Sequence, residues 1–571
     1  MATAEQLITE NLDIWTSAVQ IKSAAGRGTA NKLELYGIKK LRELILELAV
    51  RGLLVPQDPN DEPASELLKK INAEKDKLIE EGKAKKQRKQ LSKVVEEPPY
   101  IVPNGWEWVP LEHLFDIQDH VRIPLNKAER ASRDGEYAYY GANGQVGTID
   151  DFLFEGVRIL VAEDGGFFKD PIRGVAYIAE GKFWVNNHAH VLECLGGTLP
   201  GFWVSYFNQL NWEPLVRGMT RDKLNQSAMR AIALPVPPLA EQTRIVAKVD
   251  ELMALCDQLE YQQEDSITAH QILVQTLLDA LTTASERDGF TAAWARIADH
   301  FDTLFTTEWS IDYLKQTILQ LAVMGKLVPQ DPNDEPASVL VEKIGLEKIK
   351  LMKEGKVKKQ KKLRSSNDDE KPFELPAGWA WIALSQLGVF SGGKTPSKAK
   401  PEYWDGNIPW VTPKDMKVDQ IYDSEDYVTE IAIDRGLALN DVDSLLFVAR
   451  SGILRRKFPV SITKIVCTVN QDLKVLSLYE PTIVNYILIM MKGFEKYILE
   501  KLTKTGTTVE SLRFDEFASH HFLFPPFEEQ QRIVAKVDEL MALCDKLKEN
   551  IKESHKVQLH LSDAIVKQAV A

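Results

Sequence analysis

The chain has 571 residues, 44% of them apolar and 27% charged, so a folded protein of several domains is expected. A net charge of −13 excludes a uniformly basic coat, which confines any nucleic-acid site to a local patch. None of the four cysteines is within metal-ligand spacing of another, and Cys256 and Cys544 fall at apolar helix positions, as small core residues in a reducing compartment would. The N-terminus lacks a basic region followed by an apolar run, and no run of about 20 apolar residues occurs. Neither a signal peptide nor a membrane span is therefore expected, and a cytoplasmic location is.

Residues 1–40 are weakly patterned, with a flexible loop expected at Ala24 to Asn31. Leu41, Leu44, Ile45, Leu48 and Ala49 then mark one face of a helix that Gly52 ends. Val55 to Ser65, VPQDPNDEPAS, reads as a turn and a helix start, with Asp61 able to cap and Pro63 suited to the first turn. That helix continues through Leu67, Leu68, Ile71 and Leu78 into a basic tail, Lys83 to Lys89. The whole block returns 273 residues later: Val328 to Ser338 is again VPQDPNDEPAS, and a second basic tail spans Lys356 to Arg364. Pro103-Asn-Gly-Trp106-Glu-Trp108 matches Pro376-Ala-Gly-Trp379-Ala-Trp381 at the same offset, and the four tryptophans are expected to be core residues.

Beyond the tryptophans the copies diverge. Residues 109–236 and 382–524 carry short apolar runs, such as Val157 to Ala162 and Leu445 to Ala449, separated by turn signals, and read as β-rich mixed structure. Each variable segment ends at a Pro-Pro pair, a Glu-Gln pair and the same fourteen letters, RIVAKVDELMALCD, at Arg244 to Asp257 and Arg532 to Asp545. Ile245, Val249, Leu252, Cys256 and Leu259 are spaced as a heptad seam, as are Ile533, Val537, Leu540, Cys544, Leu547 and Ile551. Forty-odd helical residues span ~60 Å, and the simplest partner for each seam is its copy, packed antiparallel. In that arrangement Leu259 lies nearer Ile533 than Leu547.

The predicted fold class is a multidomain α+β chain. Two mixed α/β, β-rich heads are separated by long antiparallel coiled-coil helices in a pseudo-two-fold, circularly permuted repeat. The boundaries are an N-terminal helical region at 1–99, a first head at 100–240, a central helical region at 241–372, a second head at 373–528 and a C-terminal helix from 529 to 571. Two divergent heads on a repeated frame suit a split, asymmetric target, and the frame can offer two equal docking surfaces to two copies of a partner.

These paired blocks resemble the specificity subunit of type I restriction–modification enzymes over essentially the whole chain. Ser391-Gly-Gly-Lys-Thr-Pro396, Pro401-Glu-Tyr-Trp404, Ile408-Pro-Trp410 and Asn470-Gln-Asp-Leu473 look like one type of target-recognition domain. Tyr139-Tyr-Gly-Ala-Asn-Gly144 and Asn186-Asn-His-Ala-His190 look like another. The resemblance implies a non-catalytic subunit whose heads each read one part of a bipartite double-stranded DNA target. It implies as partners two modification subunits, which methylate adenine with S-adenosylmethionine, and ATP-driven restriction subunits. No cofactor is expected in this chain; S-adenosylmethionine, ATP and Mg are expected in the partners. A structural adaptor with two protein-binding heads is the alternative.

Three motifs invite an enzymatic reading. Gly388 to Thr395 satisfies the phosphate-loop pattern, but Pro396 and Pro401 oppose the helix that such a loop feeds, so a DNA-facing or structural turn is expected. Glu97-Pro-Pro-Tyr100 approaches an amino-methyltransferase signature, but glutamate would misplace the target amine, and the segment reads as linker. His188 and His190 lack nearby acidic or thiol ligands in sequence and suit hydrogen bonding better than a metal. The basic tails serve equally as solvated helix ends or as phosphate contacts. Base-reading candidates are Asn143, Lys169, Arg173, Asn187, His188, Arg221, Lys223 and Asn225 in the first head. In the second they are Lys394, Thr395, Lys398, Arg450, Arg455, Arg456, Asn470 and Gln471, each with surface solvation as the plain alternative.

Overall fold

The repeated blocks fold onto one another. In the computed structural model, which describes residues 4–22, 32–84, 95, 97–169, 173–218, 221–284, 286–357, 375–506 and 509–570, the short repeated helices are Tyr36–Val50 and Glu308–Val323. Gly52 and Gly325 follow them with φ of +70° and +69°. A Cβ at Gly52 would stand 2.6 Å from Pro103, and one at Gly325 would stand 2.9 Å from Pro376. Glycine is thus needed for both the left-handed conformation and the close approach. The second helices, Ala64–Glu80 and Ala337–Lys353, begin where the Ala64 and Ala337 amides donate to the carbonyls of Gly105 and Gly378, each at 2.8 Å.

Asp61 does not cap its helix. It takes both terminal nitrogens of Arg244, at 3.2 and 2.6 Å, and Asp334 does the same for Arg532 at 3.1 and 2.5 Å. The Arg532 guanidinium holds the Asp334 carboxyl below its ordinary range. A bidentate guanidinium–carboxylate pair is stronger than a cap to a neutral amide, so the repeated Asp is used to tie the two repeated blocks together.

The chain divides into two units, Met1–Ile267 with Glu553–Ala571, and Thr268–Lys552. The long helices form as expected, Leu239–Thr283 and Phe527–Val570. The leading half of each seam, however, is covered by the short helix of its own unit. In the first unit Ile245, Val249, Leu252 and Cys256 share one buried cluster with Leu41, Leu44, Ile45 and Leu48, and Arg42 reaches Asp257 at 2.6 Å and Glu260 at 2.9 Å. In the second, Ile533, Val537 and Cys544 join Leu314, Ile318 and Leu321, with Lys548 on Asp312 at 2.7 Å. The short amphipathic helix supplies the apolar face that heptad spacing alone assigned to the copy. The far end of the other long helix completes each cluster: Ile565 and Val566 pack on the first, and Tyr36 donates to Asp563 at 2.8 Å; Val274, Leu278 and Leu281 enter the second.

Each head opens and closes on one strand pair. Glu107–Pro110 pairs antiparallel with Ala233–Val236, and Ala380–Ala383 with His521–Phe524. Trp106 and Trp379 are buried beside these pairs, while Trp108 and Trp381 are half-buried. Inside, the divergent sequences share a plan. The first head has an antiparallel sheet ordered Phe115–Ile117, Ala189–Cys194, Arg158–Ala162, Ala176–Ala179. The second has Gly388–Gly392, Leu473–Leu478, Leu445–Val448, Val460–Thr463, with Gln420–Ile421 added at the edge of the longer head. Each head also has a second sheet with one parallel pair, Tyr137–Gly141 beside Lys182–Val185 and Trp404–Val411 beside Thr468–Val469.

The expected loop at Ala24 to Asn31, Lys85 to Lys89 and Lys358 to Arg364 lie outside the described residues. Lys83 and Lys356, at the starts of the basic tails, pair with Glu81 and Glu354 at 2.7 and 2.8 Å. No helix among the described residues is long and apolar enough to cross a membrane.

Candidate nucleic-acid interface

In both heads a parallel strand pair delivers a buried asparagine to the same place. The Asn186 amide donates to Tyr140 O at 3.1 Å, and the Asn470 amide to Val411 O at 3.0 Å. Each carboxamide oxygen then accepts an amide two residues on, from His188 at 2.8 Å and from Asp472 at 3.0 Å. Both are Asx turns built on an asparagine that is less than a tenth exposed.

Two further segments meet each turn. After the central strand, the Glu163 amide donates to His188 O at 2.7 Å, and the Ala449 amide to Asp472 O at 2.7 Å. A late segment then closes over them: Leu224 N donates to Glu163 O at 2.7 Å, and Leu512 N to Ala449 O at 2.8 Å. Three loops from distant parts of the sequence thus converge in each head through matching backbone bonds.

In the first head this convergence opens a cleft of about 620 Å³. Asn187, His188 and Arg221 line it, together with Arg130, Tyr139 and Asp164. Asn143 sits beside it and donates to Gly165 O at 3.0 Å. Lys223 pairs with Glu163 at 3.2 Å, and Lys169 with Asp222 at 3.5 Å. The Arg173 guanidinium lies 4.8 Å from the Phe167 ring centre, and Asn225 is exposed ahead of the short helix Gln226–Arg230.

In the second head Gly388–Gly392 is a strand, and the chain remains non-helical to Lys400, so Lys394 does not begin a helix as a phosphate loop requires. Lys394 and Thr395 instead lie over the asparagine turn: the Lys394 amide donates to Val469 O at 3.0 Å, and the Thr395 hydroxyl donates to Gln471. Lys398, Arg456 and Gln471 are exposed. Arg450 donates through Nε to Asp472 at 3.1 Å, and Arg455 pairs with Glu510, whose carboxyl it holds below the usual range. Of the sixteen candidates Asn470 alone is buried, and its carboxamide is committed to the turn.

Sequence reading missed the acids that hold the candidate side chains, Asp164, Asp222, Asp472 and Glu510, because contacts between distant loops leave no spacing signal. It also read His190 only as a hydrogen-bonding group, with no partner assigned. His190 is 1% exposed, with Nδ1 2.7 Å from Asp119 and Nε2 3.0 Å from the Leu224 carbonyl oxygen. Burial acts to raise the Asp119 carboxyl, but His190 and Arg122 prevail and hold it below its ordinary value. His190 is therefore a strut for the late loop, on a strand whose first four residues, Ala189 to Leu192, are all buried. Glu97 to Pro99 are exposed, and Tyr100 anchors the segment on the frame, its hydroxyl donating to Val50 O at 2.9 Å, as a linker would.

The frame carries matched features of its own. An apolar groove of about 710 Å³ in the first unit runs along Leu48, Lys248, Leu252 and Leu255. One of about 720 Å³ in the second runs along the repeat equivalents Leu321, Lys536, Leu540 and Leu543.

The sequence profile of the type I restriction modification DNA specificity domain matches residues 103–269 and 376–554. The chain is 38% identical to the Escherichia coli type I restriction enzyme EcoAI specificity subunit, over all of both chains. It is 36% identical to the EcoEI specificity subunit of the same species, over 99% of each. The EcoR124I/EcoR124II specificity subunit is 37% identical over 30% of this chain and 43% of its own. With two copies of the domain on a duplicated frame, and relatives matched from end to end, the chain belongs to the specificity subunits of type I restriction–modification enzymes, the non-catalytic subunits that recognise the DNA sequence.

Proposed function

We propose that each head reads one half of a bipartite, asymmetric double-stranded DNA target. The observation that carries this reading is the convergence of three loops by the same backbone bonds in both heads, with different polar side chains at the tips. A common scaffold with different tips is what two half-sites of unlike sequence require. Asn143, Asn187, His188, Arg221, Lys223 and Asn225, with Lys169 and Arg173 at the margin, form the reading face of the first head. Lys394, Thr395, Lys398, Arg450, Arg455, Arg456 and Gln471 form that of the second, and Asn470 positions its turn.

The two long helices act as an antiparallel coiled-coil spacer that sets the separation of the half-sites. Supporting this, the start of one long helix and the end of the other share a core in each unit. The paired apolar grooves are two equal docking surfaces for two modification subunits, and the frame also engages the restriction subunits. S-adenosylmethionine, ATP and Mg belong to those partners, which work with this chain in the cytoplasm, on the nucleoid.

Methylation mapping in cells carrying the whole system tests the reading. Two half-sites at fixed spacing are expected, and insertion of whole heptads after Asp257 should change the spacing but not the bases. Sequence-blind, uniformly weak binding in a footprint would favour the adaptor alternative.

A further inference from the structure

The matching backbone bonds put Asp164 and Arg450 at one structural position and His188 and Asp472 at another. Asp164 bridges Lys223 and Arg450 bridges Ser511 in the same short antiparallel register, and the next amides, Gly165 and Ser451, donate to Asp222 O at 3.3 Å and Glu510 O at 3.1 Å. At these positions the two heads exchange roles, the carboxylate standing at the first position in one head and at the second in the other. In the first head an acid at 164 holds an imidazole at 188 through Nδ1. In the second a guanidinium at 450 is held by an acid at 472 through Nε. The anchored group is half-exposed in one head and exposed in the other, with side chains 43% and 60% accessible.

We propose that this reversed pair is the element that discriminates bases in each half-site. The inference rests on the DNA-reading function proposed above. With Nε engaged by Asp472, the two terminal nitrogens of Arg450 form an oriented pair of donors, which matches the O6 and N7 acceptors of guanine in the major groove. With Nδ1 engaged by Asp164, the imidazole of His188 presents Nε2 as its single open hydrogen-bonding atom. One such atom contacts one group on a base edge, where the two nitrogens of Arg450 contact two. Asp164 and Asp472 are positioning residues: each fixes the face that its partner presents.

Methylation mapping of the assembled complex, with wild-type chain, Arg450→Ala and His188→Ala, tests this. Arg450→Ala is expected to relax one guanine in one half-site, with discrimination there falling about ten- to hundredfold. His188→Ala is expected to relax one base pair in the other half-site only. The unaltered half-site in the same molecule reports that each variant folds and assembles. A wild-type complex with no defined half-sites would overturn the DNA-reading function itself. Defined half-sites that neither substitution relaxes would overturn the reversed-pair inference alone. Should Arg450→Ala abolish methylation, Arg450→Gln on duplexes randomised at one half-site decides: adenine replacing guanine supports the inference, and unchanged guanine overturns it.

Discussion

The indole nitrogen of Trp106 donates to the Glu241 carboxylate at 2.8 Å, and Trp379 donates to Glu529 at 2.9 Å. Each glutamate is 1% exposed at the root of a head, and burial pushes both carboxyls above their ordinary range. The folded state then keeps its proton longer than the unfolded chain does. Stability contributed by these groups is full below the unfolded value near 4.5 and falls as pH rises through the raised folded value. Glu241→Gln with Glu529→Gln retains an oxygen for each indole and removes the buried charge. The difference in melting temperature, double variant minus wild type, should grow from about pH 4.5 to about pH 8. Parallel melting curves across that range would show that the carboxylates are not costly.

Asn186→Ala and Asn470→Ala should each remove a buried Asx turn. A loss of about 1–2 kcal/mol is expected for each in denaturant unfolding, from an amide left without its acceptor. Each should also blur protection over one half-site in a footprint and leave the other intact.

Gly393 admits no side chain. A Cβ there would stand 2.0 Å from Val469 O and 2.2 Å from Asn470 O. Gly393→Ala is expected to force the Lys394–Thr395 segment off the asparagine turn and to cost about 1–3 kcal/mol. Limited proteolysis near residue 394 reads this directly, since a displaced segment is cut faster.

The Cys256 thiol, buried against the short helix, is pushed up to about 11, chiefly by burial. Alkylation follows the thiolate, so this cysteine should resist iodoacetamide in the native protein near neutral pH and react once the chain is unfolded. Mass spectrometry of native and denatured samples distinguishes the two. Rapid native labelling would place Cys256 outside the seam.

The frame was legible because its contacts join residues that are themselves repeated. Arg244 with Asp61 and Arg532 with Asp334 are identical letters in identical roles, so self-similarity marked the residues, although the spacing of Asp61 pointed to a helix cap and not to Arg244. The candidate sites were legible only as residue types: fifteen of the sixteen lie exposed or half-exposed on the heads. Their partners were not legible, because Asp164, Asp472 and Glu510 reach them across loops far apart in the chain.

By itself, then, the sequence determined the duplication, the long helices and the family, all of which rest on local periodicity or on repeated identity. Only the tertiary structure decided that the leading half of each seam packs on the short helix of its own unit, since heptad spacing specifies an apolar face but not what covers it. It also decided that the divergent heads share one plan. That equivalence resides in backbone hydrogen bonds, such as those of Asn186 and Asn470, which are open to any side chain and so persist while the letters change.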